Sequence, residues 1–354
     1  ASILRRQSYF IAQNYNNFLH RVVCRTLLSN TDIKLEGFLR QRIFKIDELG
    51  HDKKALLICK LKEVKTPQDA RNEAASIADL IHVAETEEEL SELERLFRLI
   101  SLIDVSDLEN FSFSSTLIRL YHHLGLSDRI YRLYKDPVFS TQFSDNTCHK
   151  VLMDLLFKHR QYDLVLDVYT GLQRFNIDCV TLALGAHYHI NTPESAEAAR
   201  NMIRVLMQQY YLSRRALMYA AMLFLKQNLP HVALETLKHC REGTLVFNLQ
   251  LMCYAKLGQI QDILKGLDEA VERANIITKP LNIRLYSDTM CEIRQAMAKC
   301  DNQRSVQKFD FLEKDLSGLG VFSLQTASVL LDKTIHGERH RLKESGKRKV
   351  VRVD

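Results

Sequence analysis

A unit of about 34 residues recurs along the chain, and this internal repeat constrains the fold more than any other sequence feature. Each copy has an apolar stretch, a basic residue with a short polar break, and a second apolar stretch. A degenerate copy that begins near Leu182 lies within the 68-residue gap between the second and third clear copies. Successive starts are then 35, 31, 37 and 30 residues apart. The clear copies occupy residues 116–133, 151–172, 219–237 and 249–267.

The apolar residues within each copy follow the spacing of α-helices. In the second copy, four apolar residues between Val151 and Leu156 recur at helical spacing, which predicts one apolar helix face. The polar break at residues 159–162 is long enough only for a tight turn, so the two helices must be antiparallel neighbours. One hairpin cannot bury its apolar surface alone, so several must stack. The predicted fold is all-α: a right-handed superhelical stack of antiparallel helix-turn-helix repeats, an α-solenoid, with about five or six hairpins between residues 72 and 316.

The remaining sequence divides into flanking parts. Residues 1–31 resemble a mitochondrial transit peptide, because they carry four arginines and no acid. A helical lead-in at residues 32–71 precedes the repeat array at residues 72–280, and capping helices at residues 281–332 follow it. Residues 333–354 form a basic tail, for which we expect disorder. The alternative for the first segment is a disordered basic arm, and the tail could bind RNA phosphates or an acidic partner.

Charge is unevenly distributed. The net charge is +6, but residues 32–332 carry −3, so the excess of positive charge lies at the two ends. The overall charge therefore does not indicate that the body binds nucleic acid, and any basic surface there must come from local placement.

The residues that enzymes and metal sites require are not arranged in recognisable motifs. The eight cysteines include no C-x-x-C pair, and no Cys/His group has zinc-finger spacing, which is typical of reduced core thiols. No phosphate-binding loop, nucleophile elbow or deaminase motif occurs. We therefore expect no catalytic residues, no metal and no cofactor. No stretch reaches the length and hydropathy of a membrane span.

The repeat resembles the pentatricopeptide unit more than the tetratricopeptide unit. The pentatricopeptide pattern is followed by residues 246–251 (VFNLQL), by Lys256-Leu257-Gly258 and by Ile263-Leu264. Longer segments carry a resemblance to an animal mitochondrial family with this repeat, which extends over roughly residues 32–335: these are residues 143–163, 191–195, 212–228 and 308–320. The resemblance implies a protein of the mitochondrial matrix that binds single-stranded mitochondrial RNA. It also implies a link to RNA maturation and respiratory-chain function, with other RNA-processing proteins as partners.

The resemblance further implies where RNA bases would bind. In this family the first helix of each hairpin lines a concave face, and one residue near its start touches a base. Only the asparagine among the residues at that place here is of the usual type, and its amide can both donate to and accept from a base edge. We therefore expect weak sequence preference. The five residues are Ser115, Lys150, Thr181, Met218 and Asn248.

A second recurrence lies at the end of the first helix of each hairpin. Basic residues stand there in four copies, at His122, Lys158, Lys226 and Lys256. In a stack they would form a row along RNA phosphates. The alternative is helix capping, because lysine at a helix C-terminus complements the macrodipole.

Two functions remain open at this point. The first is RNA binding in mitochondria. The second is a protein–protein scaffold that holds a peptide or helix on the concave face. Salt dependence separates them, because phosphate contacts lose affinity steeply with salt and an apolar groove does not.

Overall fold

The computed structural model describes residues 27–102, 113–275 and 283–333, and within these ranges the chain is almost entirely helical. A long helix, α1 (Leu35–Lys62), comes first; it is kinked at Gly50, whose φ of 58° glycine adopts without strain. A short helix, α2 (Pro67–Asn72), follows. Fourteen further helices then form seven consecutive hairpins: α3 (Ala74–Val83) and α4 (Glu87–Ser101), α5 (Phe113–Leu124) and α6 (Ser127–Lys135), α7 (Asn146–Lys158) and α8 (Tyr162–Thr170), α9 (Ile177–Ile190) and α10 (Pro193–Leu206), α11 (Arg214–Lys226) and α12 (Pro230–Leu237), α13 (Thr244–Leu257) and α14 (Ile260–Asn275), α15 (Ser287–Met297) and α16 (Gln303–Gly318).

The remaining elements are short. A 3-10 turn (Pro137–Phe139) precedes α7, and the helix α17 (Ala327–Leu331) ends the described chain. Strands β1 (Leu285–Tyr286) and β2 (Phe322–Ser323) pair in parallel, with Leu285 opposite Phe322. The all-α repeat fold is therefore confirmed. The seven hairpins exceed the expected five or six, because α15 and α16 pack as a further hairpin against α13 and α14.

The turn inside each central hairpin fixes the repeat register. One residue in each turn has a positive φ, and these residues are Gly125, Arg160, Asn191, Asn228 and Gly258. Their spacings, 35, 31, 37 and 30 residues, reproduce the spacings between the sequence repeats. The left-handed conformation ends a helix and reverses the chain direction within two or three residues. The backbone conformation therefore shows the same repeat spacing as the sequence, without reference to side-chain similarity.

Successive first helices pack against one another and form a continuous row from α3 to α15. Because each is enclosed by its neighbours and its own partner helix, burial extends around the helix rather than along one face. In α7 every residue from Val151 to Phe157 is buried, and in α11 every residue from Ala216 to Leu225 is buried. The four apolar residues predicted to form one face of α7 are all buried, but burial extends beyond that face. At Gly185 of α9, a Cβ would lie 2.9 Å from the Phe157 ring, so glycine permits this close packing.

Part of the N-terminal region packs into this body. Leu27 and Leu28 are buried in the same core as the first hairpins. Both leucines belong to residues 1–31, the predicted targeting segment. Residues 1–26 of that segment and residues 334–354 of the basic tail lie outside the described ranges. Among the described helices, none is long and apolar enough to cross a membrane.

Candidate nucleic-acid interface

The residues expected to touch bases lie at the start of the first helices, and these places are buried. Met218 is 4% exposed and Thr181 is 2% exposed. The Thr181 hydroxyl donates to the Ile177 carbonyl at 2.8 Å and lies 2.8 Å from the Ser213 hydroxyl. Ser115 is also buried, and its hydroxyl accepts a hydrogen bond from Arg119. None of these three side chains has an exposed polar atom that could hydrogen-bond to a nucleobase.

Asn248 shows this most fully, because it has no exposed surface. Its amide nitrogen donates to the carbonyls of Thr244 and Arg284, each at 2.7 Å. Its amide oxygen accepts from the Tyr286 backbone N–H at 2.9 Å. The side chain therefore joins α13 to β1, and it has no donor left for a nucleobase. This corrects the base-contact role inferred from the sequence.

Lys150, the fifth of these residues, is bound between two parts of the protein. Its ammonium group donates to the Asp32 carbonyl at 2.9 Å and lies 3.4 Å from the Asp178 carboxylate. Its side chain is 13% exposed. The lysine thus fixes the N-terminal region to α7 and α9 instead of reaching a ligand.

Residues 27–34, which we call the N-terminal segment, lie across α5 and α7. The Leu28 N–H donates to Asp154 Oδ1 at 3.0 Å, and Arg119 Nε donates to the Ile33 carbonyl at 2.9 Å. Asp154 Oδ2 lies 3.0 Å from His122 Nε2, and both side chains are almost fully buried. His122 therefore belongs to this internal network, and its predicted place in a phosphate-binding row is corrected.

Residues 324–333, the C-terminal segment, lie across the later first helices. Its helix α17 packs against α11 and α13. Arg215 donates to the carbonyls of Leu330 and Leu331, and the Tyr219 hydroxyl donates to Leu331 at 2.9 Å. Asp332 lies within 3.1 Å of both the Tyr219 hydroxyl and His189 Nε2. The two segments together contact the first helices from α5 to α13.

No sequence pattern predicts these anchors. Arg119, Asp154 and Arg215 bind main-chain atoms of residues 86 to 126 positions away, and a single sequence contains no record of such pairings. Only the charged residues within otherwise apolar helices could have drawn notice, because a buried charge requires a partner.

The basic row at the helix ends is positioned differently. Counting back two residues from each positive-φ residue gives the equivalent places, which are His123, Lys158, His189, Lys226 and Lys256. The first member is thus His123 and not His122, a register error of one residue. Burial lowers the pKa of His123 to about 4, so this member is uncharged at neutral pH.

The three lysines of this row remain accessible. Lys226 is exposed, with its ammonium group 3.8 Å from the centre of the Tyr188 ring. The Lys256 ammonium group lies 3.4 Å from the Glu292 carboxylate. The Lys158 side chain is half-buried. Cation–π and partly exposed ion-pair contacts are weak, so the Lys226 and Lys256 ammonium groups could exchange them for a phosphate. His189 stacks on Tyr162 with ring centres 4.6 Å apart.

The part of the chain that the structure describes holds no group of three or more His, Cys, Asp or Glu side chains that could bind a metal. Burial raises the pKa of the Cys148, Cys179 and Cys253 thiols to about 12, which keeps them protonated. A protonated, buried thiol is a poor nucleophile and a poor metal ligand.

A stack of helical hairpins with a repeat of 30 to 37 residues places this chain in the class of α-solenoid repeat proteins. No protein-family model matches the chain. The chain is similar to proteins named pentatricopeptide repeat-containing protein 2, mitochondrial. It is 25% identical to the Pongo abelii protein over 81% of this chain and 76% of that protein. The Homo sapiens protein is 26% identical over 69% of this chain and 64% of its own length. The Xenopus laevis protein is 27% identical over 65% of this chain and 61% of its own length. These similarities confirm the resemblance noted from the sequence.

Proposed function

We propose that this protein binds single-stranded RNA in the mitochondrial matrix and supports maturation or stability of mitochondrial transcripts, and thereby respiratory-chain function. The observation that carries the proposal is the recurrence of lysine two residues before the turn in three hairpins, at Lys158, Lys226 and Lys256. The relatives' names include the pentatricopeptide repeat and the mitochondrion, and both support the proposal. Its role is binding rather than catalysis, and other RNA-processing proteins are its expected partners.

The proposed binding mode depends on backbone charge rather than base identity. Phosphate contacts supply affinity without sequence information, whereas base contacts supply specificity. Because the residues at the base-contact places hydrogen-bond or pack within the protein, no base-by-base code operates through them. Binding should therefore be weak and tolerant of sequence.

The test is the salt dependence of binding to a fluorescently labelled single-stranded RNA. Each phosphate contact contributes about −0.7 to the slope of log affinity against log salt on a single strand. Replacing Lys158, Lys226 and Lys256 by alanine should flatten the slope by about 2 and weaken binding to every sequence alike. An unchanged slope and affinity would mean that the lysines only cap their helices.

The matched control removes the same charge elsewhere. Lys265, Lys299 and Lys314 are exposed and lie outside the row. Their triple alanine variant has the same net charge as the test variant, so it corrects for any general electrostatic effect. We expect its slope to stay close to that of the unmodified protein.

Import into mitochondria is part of the proposal. The arginines without acids among residues 1–31 motivate it. A fluorescent reporter fused to residues 1–31 should enter mitochondria, and replacement of its four arginines by glutamine should leave the reporter in the cytosol. A reporter that stays in the cytosol with the arginines present would contradict this part.

A second candidate function is a protein–protein scaffold. The observation that favours it is that the first-helix face already holds main-chain atoms of two polypeptide segments, through Arg119, Lys150 and Arg215. Donors directed at carbonyl oxygens suit an extended peptide of any sequence. If the protein fails to bind RNA yet co-purifies stably from mitochondria with a protein partner at high salt, the scaffold function replaces the first.

A further inference from the structure

A strongly basic stretch of the described body extends well beyond the one row lysine that it contains, Lys226. Residues 198–234 contain no aspartate or glutamate, and they carry Arg200, Arg204, Arg214, Arg215 and Lys226. The stretch begins within α10, after Glu194 and Glu197, and runs through α11 to the middle of α12. In a body whose net charge is −3, 37 consecutive residues with a charge of +5 create a strong local excess. Such local concentrations attract polyanions even when the net charge does not.

A groove of about 400 Å³ lies between α10 and α12 within this region. Arg200 and Arg204 stand on successive turns of α10 and line one wall. His239 lines the opposite side, together with Glu235, the one acid among the lining residues. The floor is apolar, and Phe224 is part of it. The groove therefore combines guanidinium groups at the rim with an apolar base, as a nucleotide with its phosphate requires.

Aromatic side chains extend this surface beyond the end of α10. Tyr211 is 96% exposed, which is unusual for so large a ring, and Tyr210 beside it is 40% exposed. The Tyr210 ring stacks on Phe175 of the preceding inter-hairpin loop, with centres 3.9 Å apart and planes within 3°. The exposed Arg174 precedes Phe175. Exposed rings next to arginines are the surface on which unpaired bases stack.

We infer that the groove between α10 and α12 and the Tyr210–Tyr211 loop bind single-stranded RNA, with Arg200 and Arg204 on phosphates and Tyr211 stacked on a base. This inference rests on the proposed function and adds a contact surface outside the first-helix face. An acidic peptide would also suit the arginines, but it would leave the exposed tyrosine rings without a role. The ligand class is therefore an unpaired polynucleotide.

Two variants separate the phosphate and base contacts. Replacing Arg200 and Arg204 by glutamine should flatten the salt slope by about 1.4, from two phosphate contacts. Replacing Tyr211 by alanine should weaken binding about five- to 150-fold with little change in slope, because a base–aromatic stack is lost. The Tyr211→Phe variant keeps the ring and should bind within about twofold of the unmodified protein. All three positions are exposed, and thermal melting would verify that each variant is folded.

The measurement is fluorescence anisotropy of the full chain with labelled single-stranded RNA between 50 and 200 mM salt, beside a labelled polyglutamate peptide. Unmodified protein that binds no RNA would refute the proposed function and this inference together. If RNA binding is present and sensitive to the lysine row, but the groove variants bind like the unmodified protein, this inference alone is refuted. Loss of polyglutamate binding with RNA binding intact in the arginine variant would also overturn it, in favour of an acidic protein partner.

Discussion

Replacing Asn248 by alanine tests whether this residue reads RNA or stabilises the fold. The substitution removes both hydrogen bonds between α13 and β1, one to the Arg284 carbonyl and one from the Tyr286 N–H. A buried N–H left without an acceptor costs about 1–3 kcal/mol, and the lost bond to Arg284 adds about 0.5–1.5 kcal/mol. The Thr244 carbonyl still accepts a backbone hydrogen bond within α13, so losing its bond from the Asn248 side chain adds little. The expected decrease in the free energy of unfolding is about 2–4 kcal/mol.

Thermal denaturation followed by circular dichroism measures this decrease. For a chain of this size each kcal/mol lowers the melting temperature by about 1.5 °C, so the Asn248→Ala variant should melt roughly 3–6 °C lower. Gln295→Ala is the matched control, because it truncates an exposed amide whose nitrogen lies 3.4 Å from the Cys291 sulfur. Its melting temperature should stay within about 1 °C of the unmodified protein, as expected for a surface change.

RNA binding provides the second half of this test. The variant should keep the base preference of the unmodified protein, measured below its melting temperature with homopolymeric single strands. A variant that melts like the unmodified protein but prefers a different nucleotide would refute the reasoning. Asn248 would then contact a base despite its burial in the described structure.

Three further predictions follow from other contacts. The double variant Arg215→Ala, Tyr219→Phe should expose the C-terminal segment to limited proteolysis, because its carbonyl anchors are lost; an unchanged cleavage pattern would contradict this. The melting temperature should fall as pH decreases from about 6.5 to about 4, because His123, whose pKa burial lowers to about 4, gains a proton on unfolding in this window. A His123→Gln variant should show a shallower fall, whereas parallel curves would assign the effect to other groups. Removal of residues 1–26 should leave the melting temperature unchanged. Removal of residues 1–34 should lower it by several degrees, because the two buried leucines of the N-terminal segment are then missing from the core. Equal melting temperatures for the two truncated proteins would count against that packing.

The repeat architecture was predictable because it depends on local features of the chain. Helical periodicity, a tight turn and a fixed spacing are all properties of neighbouring residues, and the turn residues from Gly125 to Gly258 reproduce the sequence spacing. The extent of burial was not predictable in the same way. Val151 and its neighbours were assigned to one helix face, but first helices enclosed on several sides are buried around their circumference.

The candidate site was only partly predictable. Lys226 and Lys256 keep accessible ammonium groups, as their position at helix ends suggests. Asn248 and Lys150 instead bind distant backbone atoms. The Asn248 contact forms only after the next hairpin packs against α13, and the Lys150 contact only after the N-terminal segment packs across α7. The one-residue error at His122 has a local cause: two adjacent histidines precede Gly125, and only the turn geometry shows which of them is equivalent to the lysines.

Photo-crosslinking to single-stranded RNA that contains 4-thiouridine, followed by mass spectrometry of the crosslinked peptides, tests the central claim most directly. The account predicts adducts on the peptides that carry Lys158, Lys226 and Lys256 and on the Tyr210–Tyr211 loop, and it predicts that they disappear at high salt. Adducts confined to the buried first-helix positions, such as Asn248 and Thr181, would contradict the account of where RNA binds. The absence of any adduct, with binding also undetectable in solution, would contradict RNA binding itself.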